Sequence, residues 1–314
     1  MNKIFLLLFC CLLSACHRVP DRIEPKLQAR MQEQALASLP PGIFPLTSEE
    51  KETNWGKEMT IGLHFAKELD FYQAITAFKR AEILLPTDNL LRRMDLQYAI
   101  MFCYYLAGKW EEVLYTYDHS DLKRVGTSYL PYHDIMLMRY ESYTHLHDKQ
   151  EAERVKQIFA IHYPGEELRL TIADAIYSGN IAKLNKIIEE KQVYPQLHAL
   201  IEQYAAVKKS PGKAQALNAL IPGMGYMYLG QYQSGVTAIL LNGLFIGATV
   251  YSFNKGNVAA GAIFASFEAG WYFGGIYGAG LEAKAYNERM FEKIATPFMM
   301  HERLFPMLML HYAF

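Results

Sequence analysis

The sequence predicts an all-α protein, in which repeated helical hairpins are followed by a glycine-rich hydrophobic helical hairpin. Three observations support this prediction. Apolar residues recur at helical spacing across residues 54–195. Related positions there, such as Phe65, Tyr104 and Tyr143, lie 39 residues apart. Beyond residue 213, two long apolar stretches are separated by a short polar turn, which is typical of a pair of hydrophobic helices.

The first sixteen residues have the pattern of an export signal. Lys3 precedes the apolar residues 4–13, and two small residues then precede Cys16. An apolar run of about ten residues is too short to cross a bilayer as a helix, so we expect it to be removed. The pattern resembles a bacterial lipoprotein signal, which implies cleavage after residue 15 and a lipid on the Cys16 thiol. An ordinary secretory signal is the alternative.

Composition limits the classes of function. The chain has 314 residues, 51% of them apolar, and a formal net charge of -1. This balance argues against a nucleic-acid partner, which would require a basic face. After loss of the signal and modification of Cys16, only Cys103 remains as a free thiol, so no internal disulfide is expected. Cys103 lies in an apolar run and is interpreted as a core residue.

Residues 16–53 are predicted to be a tether, because prolines interrupt them repeatedly and a segment of this kind separates a folded domain from a membrane surface. The prolines are Pro20, Pro25, Pro40, Pro41 and Pro45.

Residues 54–207 are predicted to form helical repeats. In the first copy, small and aromatic residues fall where two antiparallel helices must approach closely: Gly62, Phe65, Phe71, Ala74, Phe78, Ala81 and Pro86. A fourth, degenerate hairpin is expected from Glu167 through Gly179 to Glu190. The spacing resembles tetratricopeptide repeats, although the offset of 39 exceeds their usual period of about 34. An unrelated helical bundle is the alternative.

Residues 208–286 are predicted to form a membrane-associated hairpin. Residues 235–253 and 258–281 are both long enough to cross a hydrocarbon layer of about 30 Å, and residues 254–257 would form the turn between them. Glycines at four-residue spacing favour close helix packing in lipid: Gly243, Gly247, Gly270, Gly274 and Gly278. The alternative is that these helices pack against the repeats in a soluble fold.

Two polar residues lie at similar depth in this hairpin. Asn242 precedes the turn by about as many residues as Glu268 follows it. We therefore expect Asn242 and Glu268 to form a hydrogen-bonded pair across the hairpin, with Glu268 protonated or paired.

A glycine-rich turn precedes the hairpin. Its motif, Pro-Gly-x-Gly-x-x-Tyr-x-Gly, consists of Pro222, Gly223, Gly225, Tyr228 and Gly230. The motif resembles a bacterial membrane-hairpin family of unknown function that occurs beside tetratricopeptide regions in envelope proteins. That resemblance implies no reaction. We expect a short interfacial helix before the turn, with Tyr226, Tyr228 and Tyr232 as aromatic anchors at headgroup depth.

Residues 287–314 are predicted to be a C-terminal tail. Leu308, Leu310, Tyr312 and Phe314 alternate with other residues, which indicates a single terminal strand or an amphipathic tail.

The leading functional hypothesis is a non-enzymatic, lipid-anchored scaffold of the bacterial cell envelope. Its repeats, on the periplasmic or extracytoplasmic side, would bind envelope proteins, and membrane lipid would surround the hairpin. Both the inner and the outer membrane are compatible with these features. Self-association through the glycine-rich helices is a further expectation. The alternative is an oligomeric accessory of transport or envelope assembly that uses Asn242 and Glu268.

No enzymatic activity, cofactor or metal site is expected. The chain lacks the common nucleophile, zinc-protease and phosphate-loop motifs. His133, His145, His147 and His162 could suggest a metal cluster. However, His145 and His147 are two residues apart on a predicted helix and would point to different sides.

Overall fold

The computed structural model describes residues 18–27, 36, 38–191 and 195–314. Its contacts divide the chain into two compact units. Unit 1 consists of residues 1–28 and 174–298, and unit 2 consists of residues 29–173 and 299–314. Each unit is therefore built from two separate stretches of the chain. Cys16 and the predicted signal lie outside the described residues.

The described residues fold into helices, and the only β pairing among them is an isolated bridge between Pro41 and Ala313. The all-α prediction is therefore confirmed. In chain order the α-helices are α1 (Ser48–Glu52), α2 (Asn54–Lys67), α3 (Phe71–Leu84), α4 (Leu90–Leu106), α5 (Trp110–Asp118), α6 (Tyr132–His145), α7 (Lys149–His162), α8 (Pro164–Tyr177), α9 (Ile181–Lys191), α10 (Pro195–Val207), α11 (Pro211–Leu220), α12 (Met224–Tyr228), α13 (Tyr232–Asn254), α14 (Val258–His301) and α15 (Pro306–Met309). A 3-10 helix, Asp121–Arg124, follows α5.

Four helical hairpins share one turn geometry. They are α2–α3, α4–α5, α6–α7 and α8–α9, and in each a single residue has a left-handed backbone: Leu69, Gly108, His147 and Gly179, with φ between 59° and 67°. The next N–H donates to the carbonyl five residues earlier, as in Asp70 to Phe65 and Asp148 to Tyr143, both at 2.9 Å. This double turn satisfies carbonyls at the helix end. Its first three copies keep the predicted offset of 39 residues, so the fold is repeat-like.

Close packing between α2 and α3 depends on Gly62. A Cβ at this position would lie 2.6 Å from the Phe78 ring. Ala66, Ala74 and Ala81 are also fully buried in this hairpin. Small residues therefore let the two helices approach, and Phe78 fills the seam, as the sequence predicts.

Arg92, on α4, is bonded both to α1 and to the segment before α1. Its guanidinium donates two hydrogen bonds to Glu50, at 2.9 and 2.7 Å, and one to Asp95 at 3.1 Å. It also donates to the carbonyls of Phe44 and Pro45. Arg92 is only 6% exposed, and these bonds satisfy its buried charge. Burial raises the pKa of the Asp95 carboxyl, whereas the adjacent Arg92 opposes that rise.

Several apolar residues of the predicted tether are packed against protein. In unit 1, Val19, Ile23 and Leu27 are buried, and the Glu24 N–H donates to Glu288 at 2.9 Å. In unit 2, residues 43 and 46 are buried apolar positions. These apolar side chains cover surfaces of the folded units.

The predicted terminal strand is wrong for the described tail. Residues 306–309 form α15, and the backbone then extends with one bridge to Pro41. The N–H groups of His311 and Tyr312 donate to the Asp134 carboxylate, at 2.9 to 3.1 Å, rather than to another strand. The Phe314 ring lies 4.8 Å from that of Phe102 in the core of unit 2. The tail is therefore an integral part of this unit.

Cys103 is buried, as predicted, in the core of unit 2. Burial also raises the pKa of its thiol well above the usual range, so the reactive thiolate is disfavoured.

Candidate functional site

The predicted hydrophobic hairpin is present in unit 1. Helix α13 ends at Asn254 and α14 begins at Val258, and Gly256 between them has φ 76°. The Asn257 N–H donates to the Ser252 carbonyl at 2.9 Å, which repeats the turn geometry of the other hairpins. The Phe245 and Phe267 rings lie 6.3 Å apart, so the two helices contact each other through aromatic residues.

Helix α13 exposes most of its apolar surface. It contains 23 residues, and only 11% of its most apolar stretch is buried. Within the described part of the chain, it alone is long and apolar enough to cross a membrane. The predicted second span forms the first part of α14, where Glu268 and several glycines make the sequence less apolar. The exposed large apolar residues of both helices are Tyr232, Val236, Ile239, Leu240, Leu244, Ile246, Val250, Tyr251, Phe253, Val258, Ile263, Phe267, Trp271, Tyr277 and Leu281.

The glycine-rich turn is organised by Asn218, a residue that the sequence does not single out. Asn218 is 2% exposed, and its side-chain oxygen accepts from the N–H groups of Gly223 and Gly225, at 2.8 and 3.3 Å. Gly223 has φ 94°, a conformation that favours glycine. Pro222 lies in the link between α11 and α12, so the turn reverses the chain within three residues of α11.

Two motif glycines are required by close backbone approach. A Cβ at Gly223 would clash with the Gly235 carbonyl oxygen, and a Cβ at Gly225 would clash with the Ala214 carbonyl oxygen. Gly230 has φ 82° with open space around it. Glycine is therefore favoured there by the backbone conformation and not by a close contact. The motif therefore packs α11, α12 and the start of α13 together.

Two of the three tyrosines predicted to be aromatic anchors pack inside unit 1. Tyr226 and Tyr228 pack against the small cluster of Ala214, Leu229, Ala279 and Ala283. The Tyr228 hydroxyl accepts from the Ser210 N–H at 3.2 Å. Of the three predicted anchors, Tyr232 is 68% exposed and thus free to contact solvent or lipid. The other two stabilise the turn, because their rings are partly covered by α11 and α14.

Asn287 is a second buried polar residue that the sequence does not single out. It is fully buried on α14, where its side chain accepts from the Lys209 N–H at 2.8 Å and donates to the Lys209 carbonyl at 2.7 Å. These two bonds join α14 to the loop before α11. A lone asparagine in a polar stretch gives no pattern from which this role can be predicted.

Four of the spaced glycines do not pack helices within the chain. A Cβ at Gly243, Gly247, Gly270 or Gly274 would meet no atom within 4 Å. Only the last of the series, Gly278, is tight, with the Tyr226 hydroxyl 2.6 Å from such a Cβ. The expectation that all five clear the seam of the hairpin is therefore wrong, since Gly243, Gly247, Gly270 and Gly274 lie at exposed positions of the two helices.

Asn242 and Glu268 do not form the predicted hydrogen bond. The Asn242 amide donates to the Ala238 carbonyl of its own helix at 2.7 Å. Its side-chain oxygen and Glu268 Oε2 are both buried without a hydrogen-bond partner in the described part of the chain. Glu268 borders a cavity of about 260 Å³ lined by Ile246, Thr249, Val250, Ala265, Ala269 and Tyr272. The two polar side chains are thus both in the hairpin, but they are not bonded to each other.

The four histidines considered from the sequence do not gather. His145 stacks on Trp110 at 4.2 Å, and His162 is in edge contact with Tyr132 at 6.1 Å. His147 occupies the turn between α6 and α7. His133 is buried elsewhere in α6. These positions give no four-histidine metal centre.

Comparison with known proteins finds no matching protein-family model, no similar curated protein and no similar solved structure.

Proposed function

We propose that this protein is a membrane-anchored scaffold, in which the α13–α14 hairpin lies in a lipid bilayer. The exposed apolar surface of α13 carries this proposal. A helix of 23 residues that buries only 11% of its apolar stretch needs an apolar surrounding, and its length matches a hydrocarbon layer of about 30 Å. Exposed patches of this extent mark membrane or protein contacts.

The anchor is completed by the signal-like N-terminus. We propose that Cys16 carries a lipid and that the protein resides in the bacterial cell envelope. A single acyl chain gives marginal membrane binding, whereas an acyl chain together with a hydrophobic hairpin gives stable anchoring. The sequence pattern that ends at Cys16 supports this part of the proposal.

Unit 2 would provide the surface that binds a partner protein. Its repeat-like helical hairpins support this proposal, because repeat proteins commonly present extended binding surfaces. The loop between α3 and α4 is flanked by four exposed apolar residues: Ile83, Leu84, Leu90 and Leu91. We propose that this loop patch contacts the partner, because exposed apolar groups that cluster locally are typical of interaction sites.

A capture experiment tests the scaffold proposal. The full chain is crosslinked in envelope membranes and purified, and its partners are identified by mass spectrometry. We expect a partner protein to co-purify with the wild type and also with the control variant Tyr115→Ser, which changes an exposed position on α5. We expect the same protein to be lost with Ile83→Ser combined with Leu91→Ser. Recovery that does not depend on the loop patch would contradict the proposed surface.

A second candidate is an oligomeric membrane accessory of transport or assembly. The unpartnered oxygens of Asn242 and Glu268 inside an apolar hairpin favour it, because such groups are costly in lipid and commonly mark functional sites. Replacing Glu268 with Gln discriminates the two. Loss of function with normal abundance favours the accessory, whereas an unchanged phenotype favours the scaffold.

A further inference from the structure

His133 has a fixed tautomer that leaves one nitrogen without a partner. Its side chain is 3% exposed, and Nδ1 lies 2.8 Å from Asp134 Oδ1. The same carboxylate accepts N–H groups from His311 and Tyr312, so it acts as an acceptor throughout. His133 Nδ1 therefore carries the hydrogen, and Nε2 presents a lone pair. This Nε2 is buried with no hydrogen-bond partner.

Glu166 supplies a second unpaired acceptor close by. Its Oε1 accepts from Arg169 at 2.7 Å, whereas Oε2 is buried without a partner. One ligand atom from each of His133, Glu166 and His311 lies within 4.8 Å of the others. A buried nitrogen lone pair and a buried carboxylate oxygen are both costly unless a cation or a proton donor satisfies them.

We propose that His133, Glu166 and His311 bind a divalent transition-metal ion of the zinc type. Two imidazole nitrogens and one carboxylate oxygen are a donor set that such ions take in proteins, with a fourth position left for water. Asp134 would orient His133 by accepting its Nδ1–H, the arrangement found around many metal-bound histidines. The proposed ion would fasten the C-terminal tail to α6 and α8 within unit 2.

Binding requires a defined movement of His311. The two imidazole rings are stacked, with centroids 3.7 Å apart and an angle of 7° between them. A metal ion lies near the plane of each imidazole that binds it, so two rings stacked face to face cannot share one ion. His133 is buried and held by Asp134, whereas the His311 side chain is exposed, so the His311 ring would turn. Bonds of about 2.1 Å to the ion would also draw the three ligand atoms inward.

Zinc titration of the full, untagged chain in detergent tests the proposal. The protein is stripped with a chelator and dialysed, and Zn²⁺ is added with Mg²⁺ as the control ion. We expect one Zn²⁺ per chain and a rise in Tm. Glu166→Gln and His311→Asn should each weaken binding by about 10-fold or more. His198→Asn should leave binding unchanged, because His198 is an exposed residue outside the cluster and pairs with Glu202.

Two further measurements keep the outcome clear. Circular dichroism of the metal-free variants checks that they fold, because His311→Asn also removes the ring that stacks on His133. X-ray absorption of the wild-type zinc complex should show two imidazole nitrogens. The proposal is overturned if the wild type takes up no Zn²⁺, if both cluster variants bind as the wild type does, or if the ion has fewer than two imidazole ligands.

Discussion

The Asp134 carboxylate accepts the backbone N–H of His311 with both of its oxygens, at 3.0 and 3.1 Å. The next N–H, that of Tyr312, donates to Oδ2 at 2.9 Å. Asp134 is fully buried and lies 177 residues earlier in the chain. Hydrogen bonds to a charged acceptor are stronger than neutral ones, so this carboxylate holds the C-terminal tail in unit 2.

Asp134→Asn is expected to destabilise unit 2 by about 2 kcal/mol and to loosen the tail. The amide would turn an NH₂ group toward N–H donors, which leaves buried donors unpaired. Chemical denaturation measures the stability, and hydrogen exchange over residues 306–314 measures the loosening. Asp148→Asn is the control, because Asp148 only caps α7 and asparagine caps as well. Equal effects of the two substitutions would contradict this role of Asp134.

Glu50 is expected to make the stability of unit 2 dependent on pH. Its hydrogen bonds with Arg92 hold the pKa of the Glu50 carboxyl below its ordinary value, against the opposing effect of burial. A carboxyl whose pKa is lowered by folding contributes stability above its unfolded pKa of about 4.3. That contribution is lost as the pH falls through the lower, folded pKa.

The difference in stability between the wild type and Glu50→Gln should therefore be largest near neutral pH and shrink below about pH 4. Urea denaturation across this range is the measurement. Glu49→Gln, on the exposed side of the same short helix, should show little difference at any pH. A gap between wild type and Glu50→Gln that stays constant down to acid pH would contradict the assignment.

Gly62→Ala is expected to destabilise unit 2 by about 1 to 3 kcal/mol, because the added methyl overlaps the Phe78 ring at 2.6 Å. Gly126→Ala is the matched control, since a Cβ there meets nothing within 4 Å. Thermal denaturation of the two variants gives the comparison. If Gly62→Ala is as stable as the control, the close approach of α2 and α3 is not as described.

His147→Gly is expected to stabilise the α6–α7 turn by a few tenths to about 1 kcal/mol. His147 is exposed and has φ 61°, a conformation that is unfavourable for any residue with a Cβ. Glycine relieves this strain, although it also increases the entropy of the unfolded chain. Gly108→Ala, at the equivalent turn, should destabilise the protein. A rise in Tm for both variants or a fall for both would contradict the shared turn geometry.

The repeats were predictable because their signal is local. A constant offset of aromatic and small residues predicted the hairpins, and turns were expected at Gly179 and at residues 254–257, although their left-handed conformation was not predicted. Leu69 and His147 adopt the same conformation without a glycine, so no residue in the sequence marks those two turns as left-handed. They are imposed by the packing of the helices on either side.

The details of the sites were less predictable because they depend on distant residues. Residues 133, 166 and 311 share no local spacing, so no motif reveals their proximity. The alternation in the last residues predicted a single strand or an amphipathic tail, and no strand forms there because the Asp134 carboxylate takes the N–H groups that a neighbouring strand would need. Glycine spacing likewise predicted a tight hairpin seam, whereas four of the five glycines lie at exposed positions of the two helices.

Carbonate extraction of membranes from cells that express Cys16→Ala tests most directly whether the hairpin enters the bilayer. This variant removes the proposed acyl anchor and leaves α13 and α14 unchanged. We predict that the protein stays in the membrane pellet, and that the added substitutions Leu240→Asp and Leu244→Asp, at exposed positions of α13, release it. Recovery of Cys16→Ala alone in the soluble fraction would contradict insertion of the hairpin.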